Sequence, residues 1–220
     1  MIKKEIDDLV QKYYVGDGYQ FPLVYTNSIG NRCVDLESGK ILYSLIRHFK
    51  PTNGLDFGGG TGFSSAVANA AMIKNGSPFS LVVSERNPDL LGRIKNTHKM
   101  IFPDQRPTYV GDITHNLEKV PKYLDFAFID TEHDEGLTYW YLAFIFPRLS
   151  RGALVANHDW PVWEDDFGCH TKGNGVFPET RILLALYKEK ILNLTKLYWT
   201  FGDEYPSEVR KPETGFWMKG

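Results

Sequence analysis

Two sets of residues in this 220-residue chain have the types and spacing to do chemistry. The first is the run Asp56-Phe57-Gly58-Gly59-Gly60-Thr61-Gly62, in which a carboxylate precedes glycines at alternate positions 58, 60 and 62. Such a turn presents backbone N–H groups and the positive end of a following helix, a surface suited to a flat or charged ligand. Glu85 and Asp112 are spaced as acceptors for the same ligand. Glu85 follows the next apolar run, where a carboxylate can accept from both hydroxyls of a ribose and repel a 2′-phosphate. Asp112 follows Gly111 after a third run, where it is either a ligand acceptor or a turn former. The second set is Asp130, His133, His158 and Asp159. Histidine titrates near neutrality and can take a proton from an acceptor group, while paired carboxylates suit a hard cation such as Mg²⁺.

The elements that must position these groups follow from periodicity. Apolar runs at 55–57, 79–84, 108–110, 124–130, 153–156 and 194–201, with a last at 215–219, read as strands. Helical spacing appears over 2–14, 36–49, from Phe63 to Asn75, from Pro88 onward, over 137–149 and over 179–192. Strand and helix alternate through the middle of the chain, so the fold class is α/β. The expected architecture is a Rossmann-like, doubly wound, mostly parallel seven-stranded sheet. A C-terminal antiparallel hairpin closes it, and helices cover both faces. Ligands of such sheets bind beyond the carboxyl ends of the strands, where every residue of both sets falls.

The glycine pattern departs from the dinucleotide fingerprint, because its third position falls on Phe63. It resembles motif I of the class I S-adenosylmethionine-dependent methyltransferases, and the closing hairpin resembles their ends. The resemblance runs from about residue 35 to 220. It implies that Asp56, Gly58, Gly60 and Gly62 cradle the cofactor, that Glu85 holds its ribose and that Asp112 meets its adenine. Glu37, at the start of the helix before the first strand, resembles the O-methyltransferase branch, where this segment closes over the cofactor. A plain helix-start carboxylate explains Glu37 equally. The passages 128–136 and 157–160 resemble the metal-assisted O-methyltransferases of small molecules and sugars. By that likeness Asp130 and Asp159 are candidate Mg²⁺ ligands, and Asp130, His133 and His158 are candidate catalytic groups. The common pattern has Asp-Asn where this chain has Asn157-His158-Asp159. His133 pairing with Asp130 or Glu132, and His158 pairing structurally with Asp159, are the alternatives.

Composition narrows the classes. Net charge is −2, so no field for nucleic acid is present. Two distant cysteines, Cys33 and Cys169, build no disulfide framework or thiol zinc site, and a cytoplasmic location follows as the expectation. No apolar run reaches membrane-spanning length. Residues 1–34 read as an N-terminal helix and cover segment, and residues 35–220 as the methyltransferase domain. The first helix is set to pack on the body or on a second copy, which leaves a homo-oligomer open. Residues 160–178, rich in aromatics and glycine, read as a lid or substrate wall. The expected function is methyl transfer from S-adenosylmethionine to a hydroxyl of a small-molecule or sugar acceptor. Other chemistry in the same fold and a non-catalytic binding module are the alternatives.

Overall fold

In the computed structural model the apolar runs form one seven-stranded sheet. The described residues are 1, 3–26, 34–158, 178–201 and 212–220. The strands are β1 (Asn53–Phe57), β2 (Ser80–Ser84), β3 (Thr108–Val110), β4 (Leu124–Ile129), β5 (Leu149–His158), β6 (Leu194–Phe201) and β7 (Pro212–Lys219). They lie in the order β3-β2-β1-β4-β5-β7-β6. Strands β1 to β5 pair in parallel, and β7 runs antiparallel between β5 and β6. The chain steps from β1 outward through β2 to β3, then returns to place β4 on the other side of β1. That reversal opens a crevice at the carboxyl ends of β1 and β4.

The helices are α1 (Lys3–Leu9), α2 (Leu23–Thr26), α3 (Leu36–Phe49), α4 (Phe63–Asn75), α5 (Pro88–Ile101), α6 (Glu135–Phe144) and α7 (Pro178–Lys188). Side chains of alternating strand residues feed two cores. Leu81, Val83, Phe126 and Phe128 join the core under α3 and α4. Val82, Ala127 and Ile129 join the core under α6 and α7. A strand covered on both faces must be apolar throughout, which is why these runs do not alternate with polar residues. Ile6, Phe21 and Tyr25 of the N-terminal region belong to the α3/α4 core.

Local chemistry sets the helix starts. Asp35, Asn87 and Asp134 cap α3, α5 and α6, accepting from Ser38, Asp89 and Leu137 backbone N–H groups. Several expected boundaries moved, among them that of α7, which ends at Lys188 where 192 was expected. The helix over 2–14 is α-helical only to Leu9 and continues as a π-helix over Val10–Val15. The wider turn sets the Tyr14 ring against Tyr19, Phe21 and Tyr43 at 5.2 to 6.0 Å. The helix expected over 137–149 runs from Glu135 to Phe144, because Pro147 cannot donate and 146–148 tighten into a 3₁₀ turn. Strand β5 therefore starts at Leu149, four residues before the expected Ala153, with Leu149 paired to Leu124.

Candidate active site

The strand ends are laced to one another before any ligand is considered. Gly58 and Gly59 N–H groups both donate to the Ser84 carbonyl, at 3.0 and 2.9 Å. Glu85 N–H donates to Val110 and Asp130 N–H to Phe57. The Ser84 hydroxyl donates to the Gly111 carbonyl at 2.9 Å. These bonds fix the tips of β1, β2, β3 and β4 in one rim.

The glycine turn takes its shape from packing as well as from exposure. Gly58 has φ +94°, and a Cβ there would stand 1.7 Å from the Asp130 carbonyl oxygen. Its missing side chain thus serves a crossing of two backbones, a use the sequence did not signal. Gly62 has φ +87° and starts α4 as its N-cap. Gly60 has φ +50°, and its N–H donates to Glu85 Oε2 at 2.8 Å. Glu85 Oε1 accepts from Asn87 N–H at 2.8 Å, so the carboxylate is held at the rim by backbone on both sides.

Beside this turn is a cavity of about 550 Å³. Gly58, Glu85, Asp112 and Asp130 stand in its wall, with Leu90, Ile113 and Leu137 among the apolar contributors. Burial would raise the Asp112 carboxyl, but the Thr114 hydroxyl and N–H outweigh it and hold the group below its ordinary value. Those contacts are 2.6 and 2.9 Å. Arg86 and Glu132 form an exposed ion pair at the mouth, where solvent screening leaves it little energetic weight.

Four expected cofactor residues are not in that wall. Asp56 is fully buried beneath the turn. Its Oδ2 accepts from the Ser64 hydroxyl at 2.8 Å, and its Oδ1 has no partner. Burial pushes its carboxyl up to about 7 against the Ser64 bond, and the Asp130 charge adds to the rise. Gly60 and Gly62 shape the turn from behind. Glu37 sits in the first turn of α3, near Tyr198 of β6.

The second set spreads along the rim. His158 Nδ1 lies 3.4 Å from Asp130 Oδ1. His133 faces elsewhere: its Nδ1 is 2.5 Å from Glu179 Oε2, and Glu179 Oε1 accepts from Tyr141 at 2.6 Å. The Nδ1 partner of His133 is thus Glu179, where the sequence offered Asp130 or Glu132. Its backbone is left-handed, φ +57°, and its carbonyl accepts from Glu179 N–H at 3.3 Å. Glu179 is the residue that sequence reading missed. At the first turn of a helix it reads as a dipole complement, and nothing local signals a partner 46 residues away. Asp159 and residues 160–177 of the expected lid lie outside the described residues. Among the described residues no three His, Cys, Asp or Glu side chains group as a metal cage.

With the crevice, the glycine turn and the acidic rim in place, the likeness to known proteins is direct. Residues 55–160 match a family described as a methyltransferase domain. No curated protein matches the chain. Among solved structures, cofactor-bound Rv0187 from MTB superposes with a TM-score of 0.70 at 16% identity, covering 97% of this chain and 95% of that one. The O-methyltransferase from Bacillus cereus, in complex with SAH, gives 0.62 at 15% identity, covering 100% and 92%. The O-methyltransferase TomG from Streptomyces achromogenes, in complex with SAM, gives 0.62 at 16%, covering 100% and 92%. The fold is the one these methyltransferases share. Among the described residues no helix is long and apolar enough to cross a membrane.

Proposed function

We propose that the chain transfers a methyl group from S-adenosylmethionine to a hydroxyl of a small-molecule or sugar acceptor. The observation that carries this reading is the single wall shared by Gly58, Glu85, Asp112 and Asp130. It sets two acceptor carboxylates and an apolar surface beside a glycine turn whose buried Asp56 keeps one oxygen unpaired. An adenosine with an attached cationic amino acid suits that donor and acceptor set.

S-adenosylmethionine, when bound, supplies a methyl group already activated on a sulfonium. The chain's own work is then to bind, orient and exclude water. Glu85 accepts from the ribose hydroxyls, exchanging its Gly60 and Asn87 contacts in part. Asp112, preorganised by Thr114, accepts from the adenine amino group. Leu90, Ile113 and Leu137 exclude water around the base. Asp130, backed by His158, receives the proton of the acceptor hydroxyl. A base so placed contributes roughly 10²–10⁴-fold. Asp56 and the glycines at 58, 60 and 62 hold the turn. Glu37 and His133 are proposed as, respectively, a cofactor-side and an acceptor-side group. Mg²⁺, held by Asp130 and Asp159, would supply Lewis-acid activation of the acceptor hydroxyl in an assisted form of the same reaction. Residues 35–220 are proposed as the catalytic unit, with 1–34 as its cover.

Thermal unfolding with S-adenosylhomocysteine, with NAD, and with either plus Mg²⁺ tests the reading. A ligand at a hundred times its Kd stabilises by about 2.7 kcal/mol, roughly 5–10 °C for this length. A shift with S-adenosylhomocysteine and none with NAD is expected. The opposite pattern, or no shift at all, rejects the cofactor.

A further inference from the structure

Among the described residues, the Gly62 carbonyl oxygen is met by four groups at once. The Gly62 oxygen accepts the first helical bond of α4 from Ala66 N–H at 3.0 Å, and also faces Tyr25 Oη at 3.0 Å, Ser65 Oγ at 3.1 Å and His98 Nε2 at 3.1 Å. A carbonyl has two lone pairs, and a helix N-cap needs one donor. The three side chains come from α2, α4 and α5, and each is at most 1% exposed. His98 Nδ1 lies 3.1 Å from Tyr109 Oη, so the tautomer carrying hydrogen on Nε2 satisfies both contacts. Burial lowers the pKa of that imidazole, against the Gly62 bond.

The location gives the cluster its meaning. Gly62 closes the glycine turn, its N–H donating to the Gly59 carbonyl at 2.7 Å. Two residues earlier Gly60 meets Glu85, the proposed ribose acceptor. The Tyr25 ring also packs edge-on against Phe63 at 5.4 Å. Tyr25 is the member of the cluster that comes from outside the strand–helix units forming the turn. It is 37 residues from Gly62 and sits on a four-residue helix.

We infer that Tyr25 is a positioning residue for cofactor binding, coupling the seating of the N-terminal segment to the shape of the glycine turn. This rests on the S-adenosylmethionine reading of the cavity. When residues 19–26 are docked, the Tyr25 hydroxyl fixes the Gly62 peptide and with it the N–H groups and carboxylate of the rim. When they are not, the Gly62 peptide loses the donor that holds it from outside, and the turn samples orientations that do not bind. The N-terminal segment is then a determinant of affinity as well as a cover.

The test is Tyr25→Phe, which keeps the ring, its burial and its Phe63 contact. S-adenosylhomocysteine affinity is measured by calorimetry well below the melting temperature, and amide exchange is followed over residues 60–66. The expected result is a 5- to 20-fold weaker Kd with faster exchange in that stretch. Ser44→Ala, which removes a hydroxyl bonded only within α3, should change neither. Equal affinity in Tyr25→Phe and wild type overturns the inference, even if the melting temperature falls. If wild type does not bind S-adenosylhomocysteine, the cofactor reading fails. Exchange then decides alone: unchanged protection over 60–66 in Tyr25→Phe overturns the coupling, and faster exchange there supports it.

Discussion

The two halves of the rim are built differently. At β1, β2 and β3 the groups that face the cavity are held by residues of these three adjoining strand–turn–helix units. Glu85 is held by Gly60 and Asn87, and Asp112 by Thr114. At β4 and β5 the groups are held by distant residues. His133 is tied to Glu179 and Asp130 lies against His158. A common cofactor is met by a self-contained turn that any strand–helix unit can carry. An acceptor side can be retuned by changing the element that supports it. Four measurements would break or sharpen this division, taken from the largest expected effect downward.

Asp56 belongs to the self-contained half and has the largest electrostatic leverage. Its carboxyl is raised to about 7 in the folded chain, against 3.8 for the ordinary group. The folded state therefore binds more protons than the unfolded state between these values. The contribution is fully present below about pH 4 and is lost as pH rises through 7, up to about 4 kcal/mol in all. His98 acts oppositely: its folded pKa is lowered, so it costs stability as pH falls through its ordinary 6.5. Urea unfolding followed from pH 4 to 8 should show the Asp56 slope in wild type and lose it in Asp56→Asn. A slope that survives in the Asn variant belongs to other groups.

Glu179 tests the far-supported half. It is 2% exposed and bonds both His133 and Tyr141. Burial first, and then the Glu179 charge, raise the Tyr141 hydroxyl well above its ordinary pKa, so it serves Glu179 as a donor. Glu179→Ala removes the buried carboxylate that serves both partners, a loss of about 3 kcal/mol. For this chain length that is roughly 6–12 °C in melting temperature. If the halves are independent, S-adenosylhomocysteine affinity should change by less than about twofold. A tenfold loss of affinity would join the halves into one site.

The same division decides what the sequence reveals. Strands buried on both faces leave unbroken apolar runs, so the seven strands are readable in number and order of appearance. Glycines 58, 60 and 62 and the acids at 56, 85 and 112 can be placed in or just beyond strands from sequence, because each lies in or follows closely on an apolar run. The partner of His133 is not readable, since a 46-residue separation leaves no periodic trace. The role of Gly58 is half readable. The pattern signals a glycine, but only the fold reveals that the Asp130 carbonyl occupies the space a side chain would need. The helix end at Phe144 also escapes periodicity, because Pro147 acts there against an apolar pattern that continues past it.

Glu85 is the next largest effect. Its carboxylate has two backbone partners that a ribose would share or replace. Charge-assisted bonds of this kind are worth about 1.5–3 kcal/mol. Glu85→Ala should therefore weaken S-adenosylhomocysteine roughly 10- to 100-fold by calorimetry. Glu85→Gln keeps an acceptor and loses the charge, and should fall between. Unchanged binding in both variants would remove Glu85 from the ribose and leave it as a brace for Gly60.

Asp112 should give the smallest effect, and its pattern distinguishes a ligand acceptor from a turn former. Its Oδ1 is already taken up by the Thr114 hydroxyl and N–H, which cap the 3₁₀ turn at 113–115. An adenine amino group would use the other oxygen. Asn at this position keeps one carbonyl oxygen, which can serve the cap or the base but not both as well as a carboxylate can. A single neutral hydrogen bond is worth about 1 kcal/mol, or about fivefold in affinity. Asp112→Asn should thus cost S-adenosylhomocysteine about two- to fivefold and inosine-containing analogues nothing, because their base lacks the amino donor. Equal losses for both ligands would assign Asp112 to the turn. The adenine contact would then fall to the apolar wall formed by Leu90, Ile113 and Leu137, and the self-contained half would read the base by shape alone.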